Sequence, residues 1–383
     1  MSVCSLDTVV GGLKWTLLNP LASIAYLITI SCDPASCEVQ YKPLEDALGR
    51  TRAYLPIESR QRWLLAGAAV VVLLGWLLTF SSDVWYNRTR LSSIRKRQWQ
   101  DQLVVITGGA SGIGYRTAVR LAAKGAKVVV IDIQKLPSAE PGTASWKALE
   151  SSARSNISAY ICDVASEDAL AKVLKSILAI HGVPTVVINN AGLTHSQPIT
   201  SLSTAQLSRL INVNLTSHLW ILQHLLAGMV QRAKLDGTPA HIVSIASVMG
   251  HTGVSQMIDY CASKHGVVGL HKALRYELDY CHGCPQIRTT LVVLGHIDTP
   301  LFRGFRPGWL ARFLGPSVEP DAVARSIVAA VGKRRGGTIA LPWYANWSEA
   351  FALLPSWATD FAHWLLGSNR SMEEMNRARQ KSA

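Results

Sequence analysis

Tyr260 and Lys264 stand four residues apart in Tyr-Cys-Ala-Ser-Lys, and Ser247 lies thirteen residues upstream of the tyrosine. On a helix over residues 260–280, that spacing puts a phenol and an ammonium one turn apart on the same face. A free tyrosine titrates near ~10, and each unit by which a neighbouring cation lowers that value favours the phenolate by about 1.4 kcal/mol. A tyrosine tuned toward neutrality can exchange a proton with an alcohol or a ketone. The pair alone is a weak signal, so its weight depends on its company.

That company begins with Thr107-Gly-Gly-Ala-Ser-Gly-Ile-Gly114. The apolar run Gln102 to Thr107 predicts a buried strand, and Ile113, Ala118, Leu121 and Ala122 fall at helical spacing over residues 112–124 before the stop Lys124-Gly125. A strand, a glycine turn and a helix N-terminus offer free N–H groups and a positive dipole end to a pyrophosphate. Glycine is needed where a side chain would block the approach. The next run, Lys127-Val-Val-Val-Ile-Asp132, predicts a second strand, and its terminal acid can accept adenine-ribose hydroxyls. The same carboxylate repels a 2′-phosphate, so NAD is the expected cofactor, with NADP the alternative; Asp132 as a loop cap is the bland reading.

Three further runs complete the set. Thr185-Val-Val-Ile-Asn-Asn-Ala-Gly192 predicts a strand closed by Asn189 to Gly192, Asn212-Val-Asn214 falls in a helix starting near Thr204, and His241 to Ser247 predicts a strand that delivers Ser247. With these the chain resembles the short-chain dehydrogenase/reductase family over about residues 101–341, on Thr-Gly-x-x-x-Gly-x-Gly at 107–114, Asn-Asn-Ala-Gly at 189–192 and Tyr-x-x-x-Lys at 260–264. The resemblance implies an α/β fold, a doubly wound parallel sheet of Rossmann type. It also implies a tetrad: Tyr260 as general acid/base, Ser247 on the substrate oxygen, Lys264 lowering the tyrosine pKa and binding the nicotinamide ribose, and Asn214 holding a relay water. Thr107, Gly108, Ser111, Gly112, Ile113, Gly114, Asp132, Asn190, Ala191 and Gly192 are the implied cofactor contacts, with Asp163 and Val164 at the adenine. The family's Pro-Gly-x-x-x-Thr is altered to Leu294-Gly295-His-Ile297-Asp-Thr299, which keeps Gly295 and Thr299 but lacks the proline of the loop over the nicotinamide.

A doubly wound domain needs roughly 250 residues, and the chain has 383. Trp63 to Phe80 contains no charge over eighteen residues, which as a helix covers roughly 27 Å, the hydrocarbon thickness of a bilayer. Tryptophans near its ends and arginines at 60, 62, 88 and 90 suit the two interfaces. Residues 1–100 are therefore expected to be an N-terminal transmembrane anchor region with its helix at about 63–80. Leu17 to Ile30 is shorter and broken by Asn19-Pro20, and reads as interfacial, re-entrant or kinked. Residues 342–383, with aromatics from Trp343 to Trp364, read as an amphipathic or re-entrant extension that touches lipid and covers the substrate entrance; a packed extension or a homodimer contact is the alternative.

The net charge is +13. Residues 81–100 carry five bases against one acid, and beside a span such residues serve lipid headgroups or topology. No nucleic-acid motif accompanies them. Cys281-His-Gly-Cys284 lacks a second ligand pair and a redox context, so it reads as a turn with reduced thiols, and no metal site is expected. The expectation is a membrane-bound oxidoreductase, at the endoplasmic reticulum or a lipid droplet with a cytosolic catalytic domain. The segment Tyr260 to Leu274, with Glu277, resembles the retinol and hydroxysteroid dehydrogenase branch, which implies a lipophilic alcohol or carbonyl as substrate (retinoid, sterol or long-chain lipid). An NADPH-dependent lipid keto-reductase and a non-catalytic membrane scaffold with a vestigial cofactor site are the alternatives.

Overall fold

The computed structural model describes residues 91–380, apart from 139–142, 303, 306 and 307, together with Val70, Leu73, Leu77, Ser81, Val84, Tyr86 and Asn87. Its contacts divide the chain into units 1–88 and 89–383. Among the described residues no helix is long and apolar enough to cross a membrane. The expected span at 63–80 lies largely outside the described residues, and the stretch 17–30 lies wholly outside them.

The second unit is built on seven parallel strands. β1 (Leu103–Thr107), α1 (Gly112–Ala123), β2 (Lys127–Asp132), α2 (Ala144–Ala153), β3 (Ile157–Ile161), α3 (Glu167–His181) and β4 (Val186–Asn189) form the first half. α4 (Thr204–Ile211) runs through a π turn at Asn212–Thr216 into α5 (Ser217–Asp236). β5 (Ala240–Ile245), α6 (Ile258–Tyr276), β6 (Ile287–Leu294), α7 (Trp309–Leu314), α8 (Pro320–Lys333) and β7 (Gly337–Leu341) follow, and α9 (Ser356–Leu366) and α10 (Ser368–Gln380) close the chain. The sheet order is β3-β2-β1-β4-β5-β6-β7, and every pairing is parallel.

The valine-rich strands are buried on both faces because helices cover both. Alternation sends Val104, Ile106, Val128 and Val130 into a core with Leu121 of α1 and Ile327 of α8. Their neighbours Val105, Val129 and Ile131 join Leu174 of α3 and Leu225 of α5 on the other face. The order reverses between β1 and β4, so the crevice at their carboxyl ends is where a doubly wound sheet binds its ligand. The catalytic unit also includes residues before Asp101: Ile94 N donates to Gly332 O at 2.7 Å, and Trp99 is buried beneath Lys124.

Candidate active site

The glycine turn is compressed against the switch point. Gly108 has φ +64°, and a Cβ there would stand 2.8 Å from Ala191 Cα. A Cβ on Gly114 would stand 2.1 Å from Gly108 O, so α1 approaches the turn more closely than any side chain permits. Hydrogen bonds then tie β1 to β4: Thr107 Oγ1 accepts from Asn190 N and Ala191 N, each at 3.1 Å, while Asn190 Nδ2 donates to Thr107 O at 3.0 Å and Gly108 O at 2.8 Å. Asp132 Oδ2 accepts from Ala110 N at 2.9 Å and Oδ1 from Gln134 N at 2.9 Å. The acid thus braces the glycine turn as well as bordering the crevice.

A cavity of about 310 Å³ runs along this carboxyl edge. Of the residues expected at the site, all line it except Thr107, Gly114 and Asn214. Those three work behind the wall, the first two as described. Asn214, fully buried in the π turn, accepts from Leu193 N at 2.8 Å and donates to Leu193 O at 3.0 Å and to Ser263 Oγ at 3.1 Å. Both amide hydrogens are therefore committed. The side chain is a strut between the Asn190–Leu193 segment and α6.

Helix α6 starts at Ile258 and holds Tyr260 and Lys264 one turn apart, with Lys264 Nζ 5.6 Å from the centre of the Tyr260 ring. Both are buried. Burial pushes the Tyr260 phenol up to about 12, and its hydrogen bond with Ser247 only partly offsets that. Burial also lowers Lys264 to about 8. The ammonium spends a hydrogen bond on Ile245 O at 2.8 Å. Desolvation disfavours the charged form of each group. Ser247 Oγ donates to Leu294 O at 3.1 Å and accepts from Met249 N at 3.2 Å, so it must turn from Leu294 to donate to a substrate oxygen.

The altered loop after β6 is well held without its proline. Gly295 N donates to Leu341 O at 2.8 Å, His296 N to Tyr344 Oη at 2.9 Å and Asp298 N to Val318 O at 3.2 Å. A Cβ on Gly295 would stand 2.1 Å from Tyr344 Oη, which is why the glycine remains. Ile297 and Thr299 line the cavity from this loop. Arg209 and Phe302 are among the lining residues that escaped the sequence reading. Arg209 of α4 pairs with Asp163 at 2.7 Å; it precedes Val213 by one helical turn, and that periodicity could have found it. Phe302 meets Tyr260 edge to face, with centroids 6.3 Å apart, and its irregular loop offers no comparable signal.

The residues present fit a dinucleotide. Only Thr299 Cγ2, at 3.8 Å, stands within 4 Å of a Cβ built on Gly112, so the amino end of α1 is an open cradle for phosphate. Among the described residues no cluster of metal-ligating side chains occurs. A doubly wound sheet with this cradle, an acid ending β2, and serine, tyrosine and lysine in one crevice defines a nicotinamide-dependent oxidoreductase.

Comparison with known proteins agrees. The family model for short chain dehydrogenases matches residues 102–308. Human 17-beta-hydroxysteroid dehydrogenase 13 is 31% identical over 252 residues, covering 66% of this chain and 78% of its own. Rat estradiol 17-beta-dehydrogenase 11 is 27% identical over 259 residues, covering 68% and 81%. The solved ligand-free aldohexose dehydrogenase of Thermoplasma acidophilum aligns with a TM-score of 0.50 and 26% identity, covering 64% of this chain and 93% of that one. The chain belongs to the short-chain dehydrogenase/reductase family, in the branch of the hydroxysteroid and retinol dehydrogenases. It is an oxidoreductase of CH–OH groups that uses NAD or NADP.

Proposed function

We propose that the protein interconverts a lipophilic alcohol and its carbonyl, with NAD preferred, at a site held beside a membrane. When bound, the nicotinamide supplies the hydride acceptor or donor. Tyr260 Oη takes the hydroxyl proton during oxidation and returns it to the carbonyl oxygen during reduction. Ser247 Oγ, turned from Leu294 O, donates to the substrate oxygen and steadies its developing charge. Lys264 places a cation beside the Tyr260 ring, where it favours both the phenolate and an anionic dinucleotide. Asn214 keeps the Asn190–Leu193 segment against α6.

The observation that carries the substrate class is the wall beside Tyr260. Leu193 and Phe302 line the cavity there, and Leu210, Val254, Met257, Cys261, Met372 and Met375 are buried around Tyr260 in the same apolar cluster. Such surroundings favour an apolar substrate body over a sugar or a charged acid. Asp132 at the cavity supports NAD over NADP. The uncharged stretch 63–80 supports membrane anchoring; its described residues Val70, Leu73 and Leu77 are helical, and Val70 and Leu77 are exposed. The test is turnover of retinoid, sterol and long-chain alcohols and carbonyls with each cofactor. Preference for lipophilic substrates with NAD is expected; turnover confined to small polar alcohols would overturn the substrate class, and preference for NADP would overturn the cofactor choice.

A further inference from the structure

Helix α9 buries none of its residues. Within thirteen residues the chain exposes Leu353 by 85%, Trp357 by 72%, Phe361 by 56% and Trp364 by 74%, with Leu354 and Leu365 each 46% exposed. At 3.6 residues per turn, Trp357, Phe361, Trp364 and Leu365 share one stripe. His363 lies on the opposite side, where its ring meets Phe351 edge to face and its Nε2 lies 3.5 Å from Thr252 Oγ1. The helix is thus held to the domain by one side while the other presents an aromatic ridge. An apolar surface of this kind marks a binding face.

We infer that this ridge lies in the surface of a zwitterionic phospholipid bilayer, as a docking helix in addition to the stretch 63–80. Two tryptophans one heptad apart on a short helix, with polar groups opposite, form an element that rests in the plane of the headgroups with its apolar side buried about 5–10 Å. Charge is consistent with that occupant. Residues 343–383 carry Arg370, Arg377, Arg379 and Lys381 against Glu349, Asp360, Glu373 and Glu374. In α10, Arg370 pairs with Glu374 and Arg377 with Glu373. These charges balance and two of the arginines are paired, so the attachment depends on apolar insertion and is insensitive to salt.

Continuity with the catalytic site points the same way. Helix α10 follows α9 directly and carries Met372 and Met375 into the apolar cluster around Tyr260. A cavity of about 720 Å³ lies between α7 and the α9–α10 pair, with Trp364 and Leu365 in its wall. A bilayer against the ridge therefore brings lipid-dissolved molecules to the element that covers the substrate side. The inference deepens the lipophilic-substrate reading and rests on it only for that last step.

The test uses the full-length protein in phosphatidylcholine vesicles. A photoreactive p-benzoylphenylalanine replaces Phe361 in one preparation, Trp357 in a second and Leu235 in a third. Leu235 is also exposed, at the end of α5 that leads into the amino edge of the sheet. After irradiation, mass spectrometry is expected to find phospholipid adducts at 361 and 357 but not at 235, with the same yield at low and high salt. Crosslinks from 361 and 357 to a second copy or to residues 1–88, or lipid adducts no more abundant than at 235, would overturn the inference. Dinucleotide affinity equal to wild type confirms that each labelled protein is folded. Because adducts form without turnover, a failed substrate screen and a failed docking test remain distinguishable.

Discussion

The crevice has two sides that are built differently. On the cofactor side, backbone meets backbone: Gly108, Gly114, Thr107 and Asn190 form a lattice in which one added methyl collides at 2.1–2.8 Å. On the proposed substrate side, flexible side chains from distant segments pack around Tyr260 and Phe302, among them Met249, Met257, Met372 and Met375 with Phe305. A ligand of fixed shape suits the first construction, because close hydrogen-bonded geometry leaves no freedom to lose on binding. The apolar substrate proposed above suits the second, since methionine adapts its three torsions to irregular shapes.

The comparison can be broken most severely where the two sides meet. Tyr260→Phe removes the transferable proton and keeps the ring, so kcat should fall by at least the ~10²-fold typical of a lost acid/base. Titration with NAD should show unchanged affinity; near-normal turnover would refute the role. On the cofactor side, Gly114→Ala must displace the Gly108 carbonyl. Overpacking costs about 1–3 kcal/mol, which spent on the cradle is about a 5- to 150-fold loss of dinucleotide affinity, measurable by calorimetry. An unchanged Kd would mean that the turn is softer than its contacts imply.

Asp132→Asn keeps an oxygen for Ala110 N and removes the charge. The NAD-over-NADP preference should narrow by about tenfold, equivalent to about 1.4 kcal/mol, with the fold intact. An undiminished ratio of the two dissociation constants would show that the acid only braces the turn. Lys264 offers a pH test. With its value lowered to about 8, it is cationic below that pH and neutral above, so dinucleotide affinity should weaken by a few-fold as pH rises through about 8. Lys264→Met should flatten that dependence, and a slope that survives the substitution would assign it elsewhere. The smallest effect belongs to the substrate side: Met375→Leu should cost less than about 1.5 kcal/mol in denaturant unfolding and leave cofactor affinity unchanged, whereas a larger loss would show that this side is as finely fitted as the other.

Much of the cofactor side was legible in the residues. Valine-rich runs and glycines report local needs, so β1, α1 and β2 fall within a residue or so of where periodicity places them. The π turn at Asn212–Thr216 was not legible, because a 3.6-residue pattern does not disclose one extra residue in a helix. Arg209 was overlooked because its partner Asp163 is 46 residues away and comes into reach only when the segment after β3 meets α4.

Spacing along the chain determined that Tyr260 and Lys264 share a helix face and that a glycine turn precedes α1, since both depend on a few adjacent residues. The sheet order, the strut from Asn214 to Leu193 and the aromatic ridge left outside the core depended on segments meeting across the fold. So did the direction of the pair's pKa shifts. Four-residue spacing places a cation near a phenol, but solvent exclusion is a sum over every packed neighbour, and that sum raised the tyrosine and lowered the lysine.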